Sequence, residues 1–250
     1  WRLVDGSAQI TNMLVEQITS LGGKIFTGNE VSGIRLRGSD FIISTTNGNE
    51  YISPRLISGI HPSSTLAMTD IPGIRKSFSE RISSLENTIS VFSLYITLKE
   101  NTFRYMNHNY YYHRDGNVWS AYSTQNWPQS YMLHTPAHSG NYDFAKSLII
   151  MTYMNFNDVK RWESTMTGFR GTEYDDFKSQ KTEQLLDLAG QKFPGLKKSI
   201  QSINSSTPLT WQDYTGTPGG SMYGIMKDFN HPLETTVLPG TKIPGFYFTG

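Results

Sequence analysis

Residues 41–53 read FIISTTNGNEYIS, and this stretch gives the clearest indication of how the chain folds. Apolar and polar residues alternate on both sides of Asn47-Gly48, as they do in half-buried strands. Asn-Gly is favoured in tight hairpin turns because both turn residues adopt positive φ angles. The stretch therefore predicts two antiparallel strands, at residues 41–46 and 49–53.

The sequence on either side extends this hairpin into a helix followed by a small sheet. Apolar residues recur at helical spacing and stop at Gly22-Gly23, which predicts a helix that ends there. These apolar residues are Ile10, Met13, Leu14, Ile18 and Leu21. Strands are predicted at 24–27 and 31–37 before the hairpin, and a strand at 55–58 runs into Gly59.

The central part of the sequence predicts a larger sheet with flanking helices. Asp115-Gly116 is a second hairpin signal and predicts that a strand at 110–113 pairs with one at 118–122. Further strands are predicted at 88–99, 130–135, 147–153, 200–205 and 245–249, and residues 209–214 are predicted to be extended. Helices are predicted at 62–68, 74–84 and 173–193.

These elements define the predicted fold class and domain organisation. The fold is predicted to be α+β, with a mixed, largely antiparallel sheet and flanking helices. We expect a helix-and-hairpin segment at 1–70, a sheet-and-helix domain at 71–205 and a return segment at 206–250.

Composition excludes several classes of function. The net charge is only +1, with 22 basic residues distributed among 21 acidic ones, so we expect no nucleic-acid partner. Cysteine is absent, which removes thiolate metal ligands and cysteine nucleophiles. The six histidines do not form a metal-binding pattern, and we assign no metal ligands and no catalytic residue. The sequence contains no G-x-G-x-x-G and no phosphate-binding loop.

The apolar residues indicate a chain that does not span a membrane. The longest apolar-rich run, 147–154, is far shorter than the ~20 residues that cross a bilayer. The residues from Trp1 onward show no charged-then-apolar leader, so we expect no signal peptide in this sequence. We expect a cytoplasmic or peripheral membrane location. The aromatic fraction is high, at 13%, which fits either an aromatic β-rich core or a pocket for a long apolar ligand.

Two segments resemble a known family of flavoproteins. From Gly6 to Leu66, a helix leads to Gly22-Gly23-Lys24-Ile25, then to Val31-Ser32-Gly33-Ile34, a hairpin and Leu56-Ile57-Ser58-Gly59. This order is similar to the middle of FAD-dependent desaturases and amine oxidases. Residues 206–225, STPLTWQDYTGTPGGSMYGI, and 241–250, TKIPGFYFTG, resemble the C-terminal part of the phytoene desaturase, carotenoid isomerase and retinol saturase family.

The resemblance implies a cofactor, a substrate class and the residues that contact them. It implies that the main chain at Val31 contacts the adenine of FAD and that Gly59, Thr249 and Gly250 border the cofactor. Expected substrate-binding residues are Tyr110, Tyr112, Tyr214, Met222 and Tyr223. The lack of a G-x-G-x-x-G implies that the chain is part of a longer protein, whose FAD-binding domain is a partner and without which FAD is not retained.

The activity implied by the resemblance is FAD-dependent desaturation, saturation or isomerisation of an isoprenoid-type polyene. An amine oxidase-like flavoenzyme is the alternative on the same scaffold. A non-catalytic module that binds apolar ligands is the alternative from another class. The apolar surface that such a ligand needs also allows peripheral contact with a membrane, or self-association of the chain.

Overall fold

A computed structural model describes residues 3–123, 125–140 and 143–249. The helices are α1 (Ala8–Ser20), α2 (Pro62–Ala67), α3 (Lys76–Ser83), α4 (Thr172–Lys192), α5 (Leu196–Ser199), α6 (Pro208–Thr215) and α7 (Pro232–Thr235). The strands are β1 (Val31–Arg37), β2 (Asp40–Thr45), β3 (Glu50–Ser53), β4 (Leu56–Ser58), β5 (Thr69–Asp70), β6 (Ser90–Leu98), β7 (Tyr110–His113), β8 (Ser130–His134), β9 (Ser147–Met154), β10 (Ile200–Ser206) and β11 (Phe246–Phe248).

The chain divides into two compact units. The five-stranded unit comprises the chain up to Leu14, Ile89–Thr215 and Gly219–Met222. The four-stranded unit comprises Val15–Thr88, Gly216–Pro218 and the chain from Tyr223 onward. The predicted fold class is confirmed, because helices flank sheets in which antiparallel pairing predominates.

The five-stranded unit is built on a sheet of order β10-β6-β9-β8-β7, in which every neighbouring pair is antiparallel. Successive side chains of a strand point to opposite faces. Burial therefore alternates along β9, where Leu148, Ile150 and Met154 are buried. Leu94 of β6 lies opposite Ile150, so both strands bury apolar side chains on the same face of the sheet.

Helix α4 covers that face of the sheet. Leu185 and Leu188 on α4 are fully buried in the same hydrophobic cluster as the inward residues of β6 and β9. Burying a leucine side chain stabilises a fold by about 2 kcal/mol. This cluster is therefore the core of the five-stranded unit.

The four-stranded unit contains a sheet of order β3-β2-β1-β5. The hairpin predicted at Asn47-Gly48 is confirmed, since β2 pairs antiparallel with β3 and Ser44 lies opposite Glu50. Phe41, Ile34 and Phe246 are buried in the core of this unit.

A two-stranded parallel sheet joins distant parts of the sequence in the same unit. Strand β11 pairs with β4, so that Phe246 lies opposite Leu56 and Phe248 opposite Ser58. The rings of Phe246 and Phe248 are buried and lie 5.2 Å apart between centroids. Apolar burial of these two rings fixes β11 against the rest of the unit.

The hairpin predicted at Asp115-Gly116 is wrong. Strand β7 pairs with β8 instead, and residues 118–122 form a short 3-10 helix. The Asp115 carboxylate accepts a hydrogen bond from the Asn117 amide at 2.9 Å, and the Asn117 side chain accepts one from the Trp119 amide at 3.2 Å. Such local side-chain bonds to the backbone compete with strand pairing.

Two further predictions of extended structure are wrong. Residues 24–27 form no regular strand. Residues 209–214 lie inside α6, which begins at Pro208, where the fixed φ of proline suits the first helical turn. Trp211 donates its amide to the Thr207 carbonyl at 3.1 Å, which closes that turn.

The turn at Gly219-Gly220 gives a direct test of backbone packing. Both Gly220 and Gly216 have positive φ, but a Cβ on Gly220 would lie 2.1 Å from the Pro208 carbonyl oxygen, whereas one on Gly216 meets nothing within 4 Å. We predict that Gly216→Ala lowers the free energy of unfolding by about 1 kcal/mol. Gly220→Ala should lower it by about 3 kcal/mol or more, because a steric clash is added. Equal losses in urea unfolding would contradict this packing.

Candidate functional site

The parallel pair β4–β11 brings two predicted cofactor residues together. Gly59 follows β4 and Thr249 follows β11, and a Cβ on Gly59 would lie 3.6 Å from the Thr249 hydroxyl oxygen. The Thr249 amide donates to the Ser58 carbonyl at 3.0 Å. Both residues are exposed. Ligands commonly bind beyond the carboxyl ends of parallel strands, so this exposed edge is a candidate binding surface.

Val31 and Gly250 complete the predicted set of cofactor residues. Val31 is half-buried at the start of β1 and lies opposite Thr45, with a register shift between Val31 and Gly33. Within the described part of the chain, no hydrogen bond joins the Val31 main chain to Gly59. Gly250 lies outside the residues that the structure describes.

His61 is a candidate site residue that the sequence analysis did not select. It follows β4 by three residues and caps α2, where its Nδ1 accepts from the Ser63 amide at 3.3 Å. The Nδ1 atom also lies 2.7 Å from the Ser63 hydroxyl, and Nε2 lies 2.8 Å from the Asn87 side-chain oxygen. The ring is held in one orientation beside the strand end. No sequence motif marks His61, and the only signal for it is its position three residues after the end of β4.

The face of the five-stranded sheet that points away from α4 is the second candidate surface. We call it the open face and define it by partly exposed residues that alternate with the buried ones: Tyr95, Tyr111, Met132, Ile149, Met151 and Tyr153. Met151 lies at its centre, opposite Ser93 on one side and Met132 on the other. Aromatic, methionine and aliphatic side chains suit contact with apolar ligands.

Tyr110 and Tyr112, which were predicted to bind substrate, point to the other face of the sheet. The Tyr112 ring stacks on Tyr131 with 5.1 Å between centroids, and the Tyr110 ring meets Phe193 edge-on at 5.2 Å. Burial raises the pKa of Tyr131, and the neighbouring phenols of Tyr110 and Tyr112 raise it further. Tyr111, which was not selected from the sequence, is the member of this run on the open face.

The other predicted substrate residues lie along the segment that follows α6. Tyr214 is 80% exposed at the end of α6, Tyr223 is 77% exposed after the glycine-rich turn, and Met222 is half-buried. Tyr214 and Met222 belong to the five-stranded unit, and Tyr223 belongs to the four-stranded unit. The exposure of the two rings shows that neither anchors a core.

The glycine-rich turn is fixed by hydrogen bonds within the five-stranded unit. The Gly219 amide donates to the Gln212 side-chain oxygen at 2.8 Å, and the Ser90 hydroxyl donates to the Gly220 carbonyl at 2.6 Å. The Met222 amide donates to the Ile89 carbonyl at 3.3 Å. The turn is therefore held against both α6 and the start of β6.

An ion pair between the buried Arg170 and the partly exposed Asp213 carboxylate fixes α6 itself. Arg170 donates to the carboxylate of Asp213, and it also donates to the carbonyl oxygens of Trp162 at 2.8 Å and Thr165 at 3.0 Å. The Arg170 side chain is only 4% exposed. A buried guanidinium needs such partners, so this pair holds the helix that carries Tyr214.

The chemistry available from these surfaces is limited. Within the described part of the chain, no group of three histidine or acidic side chains could hold a metal ion. Likewise, no described helix is long and apolar enough to cross a membrane. The strand-end edge offers backbone groups, a hydroxyl and an oriented imidazole, while the open face offers apolar area.

Comparison with known proteins confirms the predicted resemblance, although no known family model matches the chain. The all-trans-retinol 13,14-reductase of Macaca fascicularis is 27% identical over 46% of this chain and 19% of the relative. The corresponding protein of Rattus norvegicus is 22% identical over 98% of this chain and 44% of the relative. The chain thus spans less than half the length of that relative.

The fold is also that of a solved oxidase structure. A putrescine oxidase structure, from a redesign of cofactor binding, matches 98% of this chain and 47% of its own length with a TM-score of 0.61, at 10% identity. At this identity the match establishes a shared fold.

The Arg170–Asp213 pair leads to a stability prediction with an internal control. Removing one partner of a buried pair leaves the other charge uncompensated, so Asp213→Ala should lower the free energy of unfolding by about 3 kcal/mol. Asp187, which pairs with Lys197 on the surface at 2.7 Å, is the control, and Asp187→Ala should cost less than about 1 kcal/mol. Chemical denaturation of both variants measures the difference, and comparable losses would contradict the structural role of the pair.

Proposed function

We propose that this chain is part of an FAD-dependent oxidoreductase that acts on an isoprenoid-type polyene. The observation that carries the proposal is the parallel pairing of β4 and β11, which leaves Gly59 and Thr249 exposed together at the carboxyl ends of the strands. The chain is 22% identical to an all-trans-retinol 13,14-reductase over 98% of its length, which supports the same proposal. FAD would supply the redox chemistry, and the chain would bind and orient the reactants.

The flavin contacts are proposed for one edge of the four-stranded unit. Gly59 presents no side chain, which allows a planar group to approach the backbone. The Thr249 hydroxyl lies next to that backbone and donates to the Ser58 carbonyl at 3.3 Å. Val31 would contribute its main chain, as the resemblance implies. His61 would border the same edge, because its imidazole is fixed by Ser63 and Asn87.

The open face of the five-stranded unit is proposed as the substrate-binding wall. A polyene has few polar groups, so its affinity must come mainly from buried apolar area, at about 25 cal/mol per Å². The open face provides this area through residues such as Met132, Ile149 and Met151. Tyr214, Met222 and Tyr223 remain proposed substrate contacts because two of them are exposed aromatic residues.

The composition of the open face favours a polyene over an amine substrate. An ammonium group requires a carboxylate or an aromatic cage for recognition. The six residues that define the open face include no carboxylate, and none of its three tyrosines lies directly opposite another, so they form no paired aromatic cage. An amine oxidase-like activity, which the putrescine oxidase fold suggests, is therefore the second candidate, and a direct comparison of polyene and amine turnover distinguishes the two.

Helix α1 is proposed to pack on a dinucleotide-binding domain of the same protein. Its apolar stripe, with Ile10, Met13, Leu14 and Ile18, is exposed, and no residue of the helix is buried. An amphipathic helix in a globular protein normally buries such a stripe. A domain that supplies the missing G-x-G-x-x-G unit is the partner that the proposed function requires.

Gly59 allows a test of the flavin contact that is separate from folding. A Cβ at Gly59 meets only the Thr249 hydroxyl, at an ordinary 3.6 Å, and a Cβ at Gly240 meets nothing within 4 Å. In the full-length protein we predict that Gly59→Ala keeps its melting temperature but weakens FAD binding about tenfold, because the added methyl group separates the flavin from the backbone. Gly240→Ala is the control. Unchanged FAD affinity in Gly59→Ala, measured by flavin fluorescence titration, would argue against cofactor contact at this edge.

Met151 tests the proposed substrate wall. A carboxylate at the centre of an apolar contact surface must be desolvated when the substrate binds, so Met151→Glu should lower kcat/KM for a polyene by about tenfold or more while FAD content stays normal. Gln201→Glu adds the same charge at an exposed position of β10 and should leave kcat/KM nearly unchanged. Steady-state kinetics of the two full-length variants measures the difference in kcat/KM. Normal turnover of the polyene by Met151→Glu would place the substrate elsewhere.

A further inference from the structure

The four-stranded unit contains a cavity that the proposed flavin and polyene contacts do not use. It has a volume of about 400 Å³ and lies between α3 and the segment at 241–243. Binding sites for small molecules typically have volumes of roughly 300–1,000 Å³. None of its lining residues belongs to the open face or to the strand ends at Gly59 and Thr249.

The cavity wall is apolar. Leu66 and Ile243 are buried members of the core of this unit, and Ile74 and Phe78 pack against the same core while also lining the cavity. Gly73 lets the two sides approach closely, since a Cβ at that position would lie 3.3 Å from the Ile243 Cδ1 atom. The apolar part of the wall is therefore continuous with the core of the unit.

The charged side chains that line the cavity are all cations. Arg75, Arg81 and Lys242 line it, and its lining includes no aspartate or glutamate. The Arg81 guanidinium donates to the Glu234 carbonyl oxygen at 2.9 Å and lies 5.6 Å from the centre of the Phe78 ring. Its position is therefore fixed by a backbone group and an aromatic ring, and neither neutralises its charge.

The other two cations are also available to a ligand. Among the described residues, neither Arg75 nor Lys242 forms an ion pair. The nearby Glu80 carboxylate pairs with Lys76 at 3.5 Å instead. An apolar cavity with unpaired cations at its edge is complementary to a molecule that combines an apolar chain with an anionic head.

We propose that this cavity binds a long-chain carboxylate, with its hydrocarbon chain against Leu66, Phe78 and Ile243 and its carboxylate at Arg75 and Lys242. Burial of the methylene groups of the chain supplies most of the affinity. The cations discriminate the ionised carboxylate from a neutral chain of equal length. The proposal is independent of the flavin chemistry, because it requires neither FAD nor a redox step.

Photo-crosslinking in the full-length protein tests both the position and the charge of the ligand. The probe is dodecanoate with a diazirine at the end of its chain, and labelled peptides are located by mass spectrometry. Its dissociation constant is measured in parallel, together with that of the matching dodecanol probe. The variant Arg75→Gln/Lys242→Gln removes the two cations, and Arg37→Gln/Lys24→Gln removes two exposed cations outside the cavity as a control.

We expect labelling of the segments around residues 66–82 and 241–243. The dissociation constant should rise about tenfold in Arg75→Gln/Lys242→Gln and less than about twofold in the control, and dodecanol should bind about tenfold more weakly than dodecanoate. Labelling confined to the open face, equal binding of dodecanol, or equal affinity in the two double variants would overturn the proposal. Both double variants should keep the melting temperature of the unmodified protein. A rise in the dissociation constant then reflects weaker binding and not unfolding.

Discussion

The parallel pairing of β4 with β11 is the constraint on which the account of the binding edge depends. It joins residues that are 191 positions apart in sequence, through the bond from Thr249 to the Ser58 carbonyl. Three-residue strands offer few hydrogen bonds, so the pairing relies on the buried rings of Phe246 and Phe248. The same burial that stabilises the unit thus sets the positions of Gly59 and Thr249.

The five-stranded unit separates stability from binding in a comparable way. One face of its sheet carries the buried core with α4. The other carries Tyr, Met and Ile side chains that stay partly exposed, while Val91 and Ser93 of β6 on that same face are buried. Because side chains alternate strictly along a strand, residues on the open face can change without disturbing the core on the opposite face. This arrangement is compatible with the proposal that the open face contacts an apolar substrate.

Local sequence signals predicted much of the fold, and their failures have identifiable physical causes. The Asn47-Gly48 hairpin and the long helix α4 followed from turn chemistry and apolar periodicity. Asp115-Gly116 failed because the Asp115 and Asn117 side chains bond to the local backbone. The β4–β11 pairing could be expected only from the resemblance. Both strands are short and lie far apart in the sequence, and no periodic pattern indicates that they pair.

The candidate site was predictable in part. Side-chain alternation along a strand places Tyr110 and Tyr112 on one face of β7 and Tyr111 on the other. Which face packs on Tyr131 depends on tertiary contacts, and sequence periodicity does not contain them. The fixed imidazole of His61 likewise depends on Asn87, which lies 26 residues away. Sequence patterns identified the segments that carry the candidate residues. Tertiary packing within each unit determined which of their side chains are exposed.

The central claim is that this chain forms part of a flavoenzyme, and retention of flavin by the full-length protein tests it most directly. The protein would be purified, incubated with excess FAD, passed through a desalting column and examined by visible absorption, with the released cofactor quantified. The account predicts retained, equimolar FAD with the absorption bands of a bound oxidised flavin. A folded protein that retains no flavin after this treatment would contradict it.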